Sequence, residues 1–366
     1  MMQIEAAVLR SYDRPFVLEQ VELPEPGPGQ VVVEIAGTGF CHTDVLPRTP
    51  GFMAAPPLIA GHEGAGVVTA IGEHAAVPVG TPVLLSYDSC ATCETCLDGH
   101  PAYCRQFFRL NMTGRGAKGS PIVRDRGGEA VASRWFGQSS FATHVLAGPR
   151  NVVPVAEDLP LHLFGPLGCG IQTGAGSVLI ALGVRAGSGV VVYGAGAVGL
   201  AAVMAARVAG ATTIVAVDLH DARLETALEL GATHVVRGNS DTLVEQVVAV
   251  TGGGAHYALD TTAVPRIISA GIDGLRPTGT IGLVGAGDQD LVLASSALAA
   301  GKNIMGILEG DAVPQLFLPR LIELWRQGRF PFDRLVTTYP LAEIDRAEHD
   351  AASGATIKPV LIPGKD

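Results

Sequence analysis

The stretch Val190-Val191-Val192-Tyr193-Gly194-Ala195-Gly196-Ala197-Val198-Gly199 decides the fold of this chain. Four β-favouring residues lead into glycines spaced G-x-G-x-x-G, and the alanine-rich run 200–209 that follows predicts a helix. Such glycines allow a tight turn and let a pyrophosphate approach the N-terminus of the helix. A second predicted strand, 213–218, ends on an acid. The sequence therefore predicts a βαβ unit that binds a dinucleotide.

The acid at the end of the second strand is Asp218, which lies 19 residues after Gly199. An acid at this position can hold the ribose hydroxyls of the adenosine and repels a 2′-phosphate, which favours NAD over NADP. Arg223 argues mildly in the other direction, unless it is a surface residue near the adenine edge. The predicted cofactor-binding residues of this segment are Gly194, Gly196, Ala197, Val198, Gly199, Asp218 and Arg223.

The rest of the chain shows two kinds of organisation. From about residue 171 to 305, helix-like and strand-like runs alternate, which predicts a doubly wound parallel sheet. Residues 1–150 instead contain short β-rich runs broken by Gly and Pro, which predict a barrel-like β domain. In the tail, a helix and a strand are expected at 315–327 and 356–363. The runs expected after Asp218 are 223–230, 234–236, 242–250, 257–260, 267–275 and 280–284, and those of the β domain are 31–35, 66–71 and 81–86.

The composition excludes several classes of protein. The 25 Lys and Arg against 35 Asp and Glu give a net charge of −10, which disfavours nucleic acid as a partner. The chain is 48% hydrophobic, too apolar for a disordered protein. Its most apolar window, 187–217, contains six glycines and Arg207 and divides into strand, turn, helix and strand, so we expect no membrane span. Residues 1–5 lack the basic flank and apolar run of a signal peptide, and we expect a soluble cytoplasmic protein.

Four of the six cysteines form the pattern C-x2-C-x2-C-x7-C, at Cys90, Cys93, Cys96 and Cys104. Two-residue gaps let successive thiolates turn toward one ion, and four thiolates make a closed tetrahedral zinc site with no position for a substrate. We therefore predict a structural zinc ion here. An iron–sulfur or redox cluster stays open as an alternative, and the absence of a secretory signal disfavours three disulfides.

The other two cysteines, Cys41 and Cys169, lie far apart in the sequence, each among glycines. His62 lies between them, and two thiolates with one imidazole leave an open position on a catalytic zinc. His42 competes with His62 for this role, but adjacent residues in an extended chain point to opposite sides. Buried cysteines are also common as small hydrophobic residues. Spacing alone does not decide between a second zinc site and two core cysteines.

Taken together, the motifs resemble those of the zinc-dependent medium-chain alcohol dehydrogenases, in the same order and over essentially the whole chain. Within that family the sequence is most similar to the benzyl- or aryl-alcohol dehydrogenase branch. The family motifs are 39–44 (GFCHTD), 61–64 (GHEG), the four-cysteine segment, 168–170 (GCG) and 194–199. The segments that resemble the branch are 136–142 (FGQSSFA), 165–176 (GPLGCGIQTGAG) and 327–332 (QGRFPF).

The resemblance implies a fold and an activity. It implies a GroES-like β-barrel catalytic domain, 1–170 completed by 306–366, with a Rossmann NAD-binding domain inserted at 171–305. It also implies reversible oxidation of primary aromatic or allylic alcohols to aldehydes, with NAD and two zinc ions per chain, in a homodimer or homotetramer. Alternatives are a glutathione-dependent formaldehyde dehydrogenase, a general aliphatic alcohol dehydrogenase and, more remotely, a non-catalytic NAD-binding relative.

The resemblance also implies roles for single residues around the catalytic zinc. Its ligands are Cys41, His62 and Cys169, with Glu63 as an acid behind the metal that can approach it. Asp44 orients the histidine ligand, a common device for fixing its tautomer. Thr43 passes the alcohol proton toward the ribose of the cofactor.

Further roles lie farther from the metal. His42 and Lys358 are expected to contact the pyrophosphate, with a solvated side chain as the alternative for each. One position departs from the liver-type relatives, which carry a histidine where this chain has Leu46, so the proton needs another exit route. The candidate residues of an apolar substrate pocket are Phe40, Met53, Phe107 and Phe108, any of which the core would equally explain.

Overall fold

The computed structural model describes residues 1–116, 123–285 and 287–364. Strands and short helices dominate the first part of the chain, and strands and longer helices alternate in the second. In chain order the strands are β1 (Met2–Leu9), β2 (Phe16–Leu23), β3 (Val31–Gly39), β4 (Leu58–Ile59), β5 (Glu63–Ile71), β6 (Pro82–Leu85), β7 (Val123–Asp125), β8 (Ala130–Val131), β9 (His144–Ala147), β10 (Val152–Pro154), β11 (Gly189–Tyr193), β12 (Thr213–Asp218), β13 (His234–Arg237), β14 (Ala255–Asp260), β15 (Leu275–Leu283), β16 (Asn303–Gly306), β17 (Val336–Pro340) and β18 (Lys358–Ile362).

The helices are short before residue 190 and longer after it. They are α1 (Glu94–Leu97), α2 (Phe107–Asn111), α3 (Leu161–Phe164), α4 (Gly170–Gly176), α5 (Ala197–Val208), α6 (Asp221–Leu230), α7 (Leu243–Val250), α8 (Pro265–Asp273), α9 (Pro314–Arg326) and α10 (Ile344–Ser353). Three 3₁₀ turns also carry residues of interest, at His42–Arg48, Trp135–Gly137 and Gly165–Gly168.

The chain divides into two compact units, of which the first comprises residues 1–169, 313–319 and 333 onward. One of its sheets has the order β10-β6-β5-β3-β18-β17, with β9 also paired to β3, and the other has the order β4-β1-β2-β7-β8. The register between β3 and β5 shifts twice, and such bulges bend a strand and let a sheet curl. The end of β3 is flanked on both sides, because Gly39 pairs with Glu63 of β5 and with Val360 of β18. The C-terminal strand is thus built into the first unit beside Glu63.

The second unit, residues 170–312 and 320–332, contains a wholly parallel sheet of order β13-β12-β11-β14-β15-β16. Its first strand in sequence, β11, is buried along its whole length, as expected for a central parallel strand covered on both faces. The strand order reverses at β11, which places the glycine motif at the switch point where doubly wound sheets bind nucleotides. The core includes Val191, Val215, Leu243 and Ile272.

The predicted strand, glycine turn, helix and strand of residues 187–217 are confirmed as β11, α5 and β12. The alternating elements expected after Asp218 are also present, within a few residues of the expected bounds except at β15. That strand begins at Leu275, where a helix was still expected, and an irregular pairing with β14 explains the early start. The boundaries predicted at 170 and 305 stay predictions of where functional domains begin and end.

The N-terminal hairpin β1–β2 and helix α10 were not predicted. β1 is buried at Ala6, Ala7, Val8 and Leu9 in succession, so it lacks the alternation that marks a half-buried strand. In the segment 111–137, which no pattern explained, the structure shows β7, β8 and the turn Trp135–Gly137, while residues 117–122 lie outside the described part. Within the described residues, no single helix is both long and apolar enough to cross a bilayer, and 161–168 with 170–181 pass such a test only as a bent pair.

Candidate functional site

Four side chains of the first unit converge on one point: Cys41, His62, Glu63 and Cys169 each place one ligand atom within 4.8 Å of the others. Cys41 precedes the turn His42–Arg48, His62 directly precedes β5, Glu63 begins β5, and Cys169 follows the turn Gly165–Gly168. The sequence places these residues up to 128 positions apart, so the sheets of the first unit bring them together. His62 and Glu63 are fully buried and Cys169 is 8% exposed.

The hydrogen bonds of His62 define its tautomer. Its Nδ1 donates to Oδ1 of Asp44 at 2.8 Å, because an ionised carboxylate only accepts. The other ring nitrogen, Nε2, is buried and has no hydrogen-bond partner among the described residues. A buried imidazole lone pair beside two thiols and a carboxylate is the donor set that zinc takes in catalytic sites. The residues therefore fit a zinc ion.

The electrostatics of the cluster favour deprotonated sulfur. A hydrogen bond from Cys169 lowers the pKa of Cys41 well below that of a free thiol, helped by the charges of Lys358 and His62. Burial lowers the pKa of His62, but the charges of Asp44 and Cys41 outweigh it and raise that pKa well above its usual value, so a metal ion would take the place of the proton on Nε2. A thiolate is the form in which cysteine binds a metal.

Glu63 lies in a buried ion pair. Both of its carboxylate oxygens accept a hydrogen bond from Nζ of Lys358 at 2.9 Å, and the same ammonium reaches the carbonyl of Phe40 at 3.2 Å. Burial raises the pKa of Glu63, and the lysine charge opposes this shift. Lys358 is 3% exposed with its donors engaged, so its predicted contact with a pyrophosphate gains no support from this geometry.

The four-cysteine segment forms a second candidate metal site, with ligand atoms again within 4.8 Å of one another. Sγ of Cys90 lies 4.0 Å from Sγ of Cys96, and Cys93 lies 4.0 Å from Cys104. Tetrahedral zinc with Zn–S bonds of about 2.3 Å would set sulfurs about 3.8 Å apart, which is close to these distances. The hydrogen bond with Thr95 lowers the pKa of Cys93 to about 5, whereas burial raises the pKa of Cys96.

The glycine motif of the second unit has the geometry that a pyrophosphate needs. Gly194 has φ of +92°, and a Cβ on it would lie 2.3 Å from Oγ1 of Thr261. A Cβ on Gly199 would lie 1.7 Å from the carbonyl oxygen of Gly194, so only glycine lets α5 approach β11 this closely. Around Gly196, before the first turn of α5, a Cβ would meet no atom within 4 Å. This open space at a helix N-terminus fits a phosphate group.

Beside this motif lies a cavity of about 230 Å³, lined among others by Gly194, Asp218, Arg223 and Arg266. The carboxylate of Asp218 accepts backbone hydrogen bonds from Ala195 (2.7 Å), Leu219 (2.8 Å) and His220 (2.9 Å), which ties the glycine turn to the end of β12. The guanidinium of Arg223 lies 4.0 Å from Asp218, and its buried Nε has no hydrogen-bond partner in the part of the chain that the structure describes. The cavity thus fits an adenosine, with one acid and two arginines around it.

The remaining predicted residues have more varied surroundings. Oγ1 of Thr43 lies 3.7 Å from Sγ of Cys41, whereas His42 is exposed at the start of the same turn. Among the candidate pocket residues, Phe40 stacks on Phe141 in the core and Phe107 is 1% exposed. Met53 and Phe108 are 50% and 56% exposed, so only these two are available at a surface of the unit.

The sequence analysis missed two aromatic neighbours of the metal site. Nε1 of Trp135 donates to Oδ1 of Asp44 at 3.0 Å, and the ring of Phe136 stacks on the imidazole of His62 with centroids 4.5 Å apart. Phe136 occurred only inside a motif used for the resemblance, and no spacing rule links Trp135 to Asp44, 91 residues earlier. Gln138, also missed, donates to the carbonyl of His62 at 2.9 Å.

Comparison with known proteins agrees with both halves of this description. Residues 27–157 match the model of the alcohol dehydrogenase GroES-like domain, and residues 197–324 match that of the zinc-binding dehydrogenases. Geraniol dehydrogenase of Castellaniella defragrans is 43% identical over 98% of this chain and 97% of its own length.

Two solved structures share the fold over almost their whole length. The benzyl alcohol dehydrogenase of Acinetobacter calcoaceticus superposes with a TM-score of 0.96 and 40% identity, covering 100% of both chains. An alcohol dehydrogenase zinc-binding domain protein of Burkholderia ambifaria has a TM-score of 0.96 and 47% identity, covering 99% of both chains. The chain therefore belongs to the zinc-dependent medium-chain alcohol dehydrogenases, with a GroES-like domain and a Rossmann-like parallel sheet.

Proposed function

We propose that this alcohol dehydrogenase uses zinc and NAD to oxidise primary aromatic or allylic alcohols reversibly to aldehydes. The observation that carries the proposal is the cluster of Cys41, His62, Glu63 and Cys169, in which a buried His62 Nε2 has no partner within the described residues. With Cys41, His62 and Cys169 as its three protein ligands, a tetrahedral zinc ion would keep a fourth position for the substrate oxygen.

The roles of the protein residues follow from their contacts. Cys41, His62 and Cys169 would hold the zinc, which supplies Lewis-acid polarisation of the alcohol oxygen when bound. Asp44 keeps the proton of His62 on Nδ1. Thr43, whose hydroxyl lies beside Cys41, would accept the proton of the alcohol while its own proton moves on toward the ribose of the cofactor. Glu63, paired with Lys358, would be a second carboxylate close to the ion. Four cysteines, Cys90, Cys93, Cys96 and Cys104, would hold a structural zinc ion.

The cofactor proposal depends on the second unit. Gly196 and the N-terminus of α5 would receive the pyrophosphate, and Asp218 would bind the ribose hydroxyls, which favours NAD. The hydride acceptor carries the redox chemistry, and the protein supplies orientation and electrostatics.

The substrate proposal rests on chemistry shared by two relatives. Geraniol and benzyl alcohol, after which those relatives are named, both carry a primary hydroxyl on a carbon next to a π-system. The product aldehyde is conjugated, so hydride leaves that carbon more readily than it leaves ethanol. Burial of a phenyl group adds roughly 2–3 kcal/mol, or on the order of a hundredfold in binding.

The test compares kcat/KM for benzyl alcohol, cinnamyl alcohol and geraniol with kcat/KM for ethanol, using NAD. We expect ratios well above ten. A ratio below about ten is less than the burial argument demands and would favour a general aliphatic alcohol dehydrogenase. Faster turnover with formaldehyde plus glutathione would instead favour the glutathione-dependent enzyme. We further propose that the enzyme works in the cytoplasm as a homodimer or homotetramer. Sedimentation of the purified protein tests the proposed oligomeric state.

A further inference from the structure

Trp135 is fully buried in the turn Trp135–Gly137, and its indole N–H points at a carboxylate rather than at a backbone carbonyl. The acceptor is Oδ1 of Asp44, at 3.0 Å from Nε1. The backbone that carries the indole is itself held in place, because the amide of Trp135 donates to Oγ of Ser139 (2.9 Å) and Ser139 in turn donates to the carbonyl of Ile59 (2.6 Å). A rigid donor of this kind holds its acceptor in one orientation.

Asp44 accepts four hydrogen bonds, each from a different donor group. Oδ1 receives Nδ1 of His62 (2.8 Å), the amide of Gly61 (2.9 Å) and the indole of Trp135, and Oδ2 receives the amide of Cys41 (3.1 Å). The indole is thus a side-chain donor that shares one oxygen with the histidine. Because the carboxylate is 0% exposed, no water competes for that oxygen, and its rotation depends on these donors.

The aromatic pair Trp135 and Phe136 also holds the face of the His62 imidazole. Phe136 stacks on His62 with an interplanar angle of 28°, and the ring of Trp135 packs edge-on against Phe136 with centroids 5.4 Å apart. The edge of the imidazole is therefore held through Asp44 and its face through Phe136. Both contacts depend on where Trp135 lies.

We propose that Trp135 is a positioning residue of the metal site: its indole N–H fixes Asp44, which aims Nε2 of His62 at the ion and tightens zinc binding there. The inference depends on the proposed zinc site at Cys41, His62 and Cys169. Partners that orient a histidine ligand change metal affinity by about 10- to 100-fold when they are lost.

The test compares zinc binding in three proteins: wild type, Trp135→Phe and the control Phe52→Leu. Trp135→Phe keeps a ring in the aromatic cluster but removes the N–H. Phe52→Leu disturbs the same cluster, since Phe52 packs against Trp135 with centroids 6.2 Å apart, and leaves the N–H in place. Zinc transfer to a chromogenic chelator, followed by metal analysis, gives the affinity of each site, and the four-cysteine site is the internal reference.

We expect Trp135→Phe to lose zinc from the Cys41 site at least about tenfold more readily than Phe52→Leu, with the four-cysteine site unchanged. In the cobalt-substituted protein, the visible absorption bands of the Cys41 site should shift in Trp135→Phe alone. Replacing Trp135 by benzothienylalanine keeps the two-ring shape without the N–H and should reproduce the effect even if the smaller phenylalanine lowers stability.

Equal zinc affinity in wild type and the benzothienylalanine protein would overturn the inference, as would equal losses in Trp135→Phe and Phe52→Leu. A wild-type protein that binds no zinc at the Cys41 site would instead contradict the proposed function itself. The two failures are therefore distinguishable from the wild-type measurement alone.

Discussion

The ammonium of Lys358 lies 2.9 Å from both carboxylate oxygens of Glu63, and the two side chains are 3% and 0% exposed. Two buried charges cost desolvation energy, and each depends on the other to offset it. The pair forms because β18 and β5 flank the end of β3 on opposite sides. Lys358 thus connects the C-terminal strand to the residue next to His62.

Lys358→Met should lower the free energy of unfolding by about 3 kcal/mol, because it leaves the Glu63 carboxylate buried without its partner. Denaturant unfolding of the zinc-loaded protein measures this. The double variant Lys358→Met with Glu63→Gln should recover part of the loss. Arg105→Met, which breaks a highly exposed pair with Glu94, should have little effect. If Lys358→Met weakens NADH binding and leaves stability unchanged, its predicted pyrophosphate role is correct and the structural one is wrong.

Metal analysis should find two zinc ions per chain, because the two sulfur clusters account for all six cysteines. Cys169→Ala should abolish turnover and leave the fold near native, since the other zinc ion remains. Cys93→Ala should mainly reduce folding yield, because binding at a structural zinc site is folding free energy. Activity assays and circular dichroism separate the two outcomes.

One zinc ion per chain, or iron in either site, would contradict the assignment of one catalytic and one structural zinc site. So would two well-folded variants with equally reduced activity. Both results can be read directly from the purified proteins.

Local sequence signals predicted the βαβ unit and the four-cysteine segment, because each is specified by residues close together in the chain. β11, α5 and β12 occupy consecutive segments, and the four cysteines fall within 15 residues. In both cases the spacing itself encodes the geometry, through glycine turns in one and two-residue ligand gaps in the other.

Contacts between distant segments could not be predicted in this way. Trp135 reaches Asp44 across 91 residues, and Lys358 reaches Glu63 across 295. Both contacts depend on how the strands and turns of the first unit pair, which no local periodicity encodes. The family resemblance implies that Lys358 contacts a phosphate and gives no sign of an ion pair with Glu63. That ion pair depends on the pairing of β18 with β3, which the structure shows.

NADH should bind more tightly than NADPH. Asp218→Ser should reduce the difference between the two affinities, because the substitution removes a charge that repels the 2′-phosphate. Asp218 also accepts backbone hydrogen bonds from the glycine turn, so the variant should weaken both cofactors to some degree. The ratio of the two dissociation constants, measured by nicotinamide fluorescence, is therefore the quantity to compare.

Arg223→Ala should increase the preference for NADH over NADPH, measured as the same ratio of dissociation constants, since it removes the cation 4.0 Å from Asp218 in the cavity. The exposed Arg105→Met is the matched control and should leave the ratio unchanged. Equal affinity of the wild type for both cofactors would show that Arg223 overrides the acid.

Leu46→His should change how alcohol oxidation depends on pH. Thr43 and Leu46 lie three residues apart in the 3₁₀ turn His42–Arg48, and side chains at this spacing lie on the same face. A histidine at position 46 would add a group with a pKa of about 6.5 beside the hydroxyl proposed to accept the alcohol proton. Only the neutral imidazole can take that proton onward, so kcat/KM should rise with pH through this pKa. Leu46→Gln, which is polar but does not titrate, should keep the wild-type profile. An active Leu46→His enzyme with an unchanged profile would mean that the proton already leaves freely or that position 46 does not face its route.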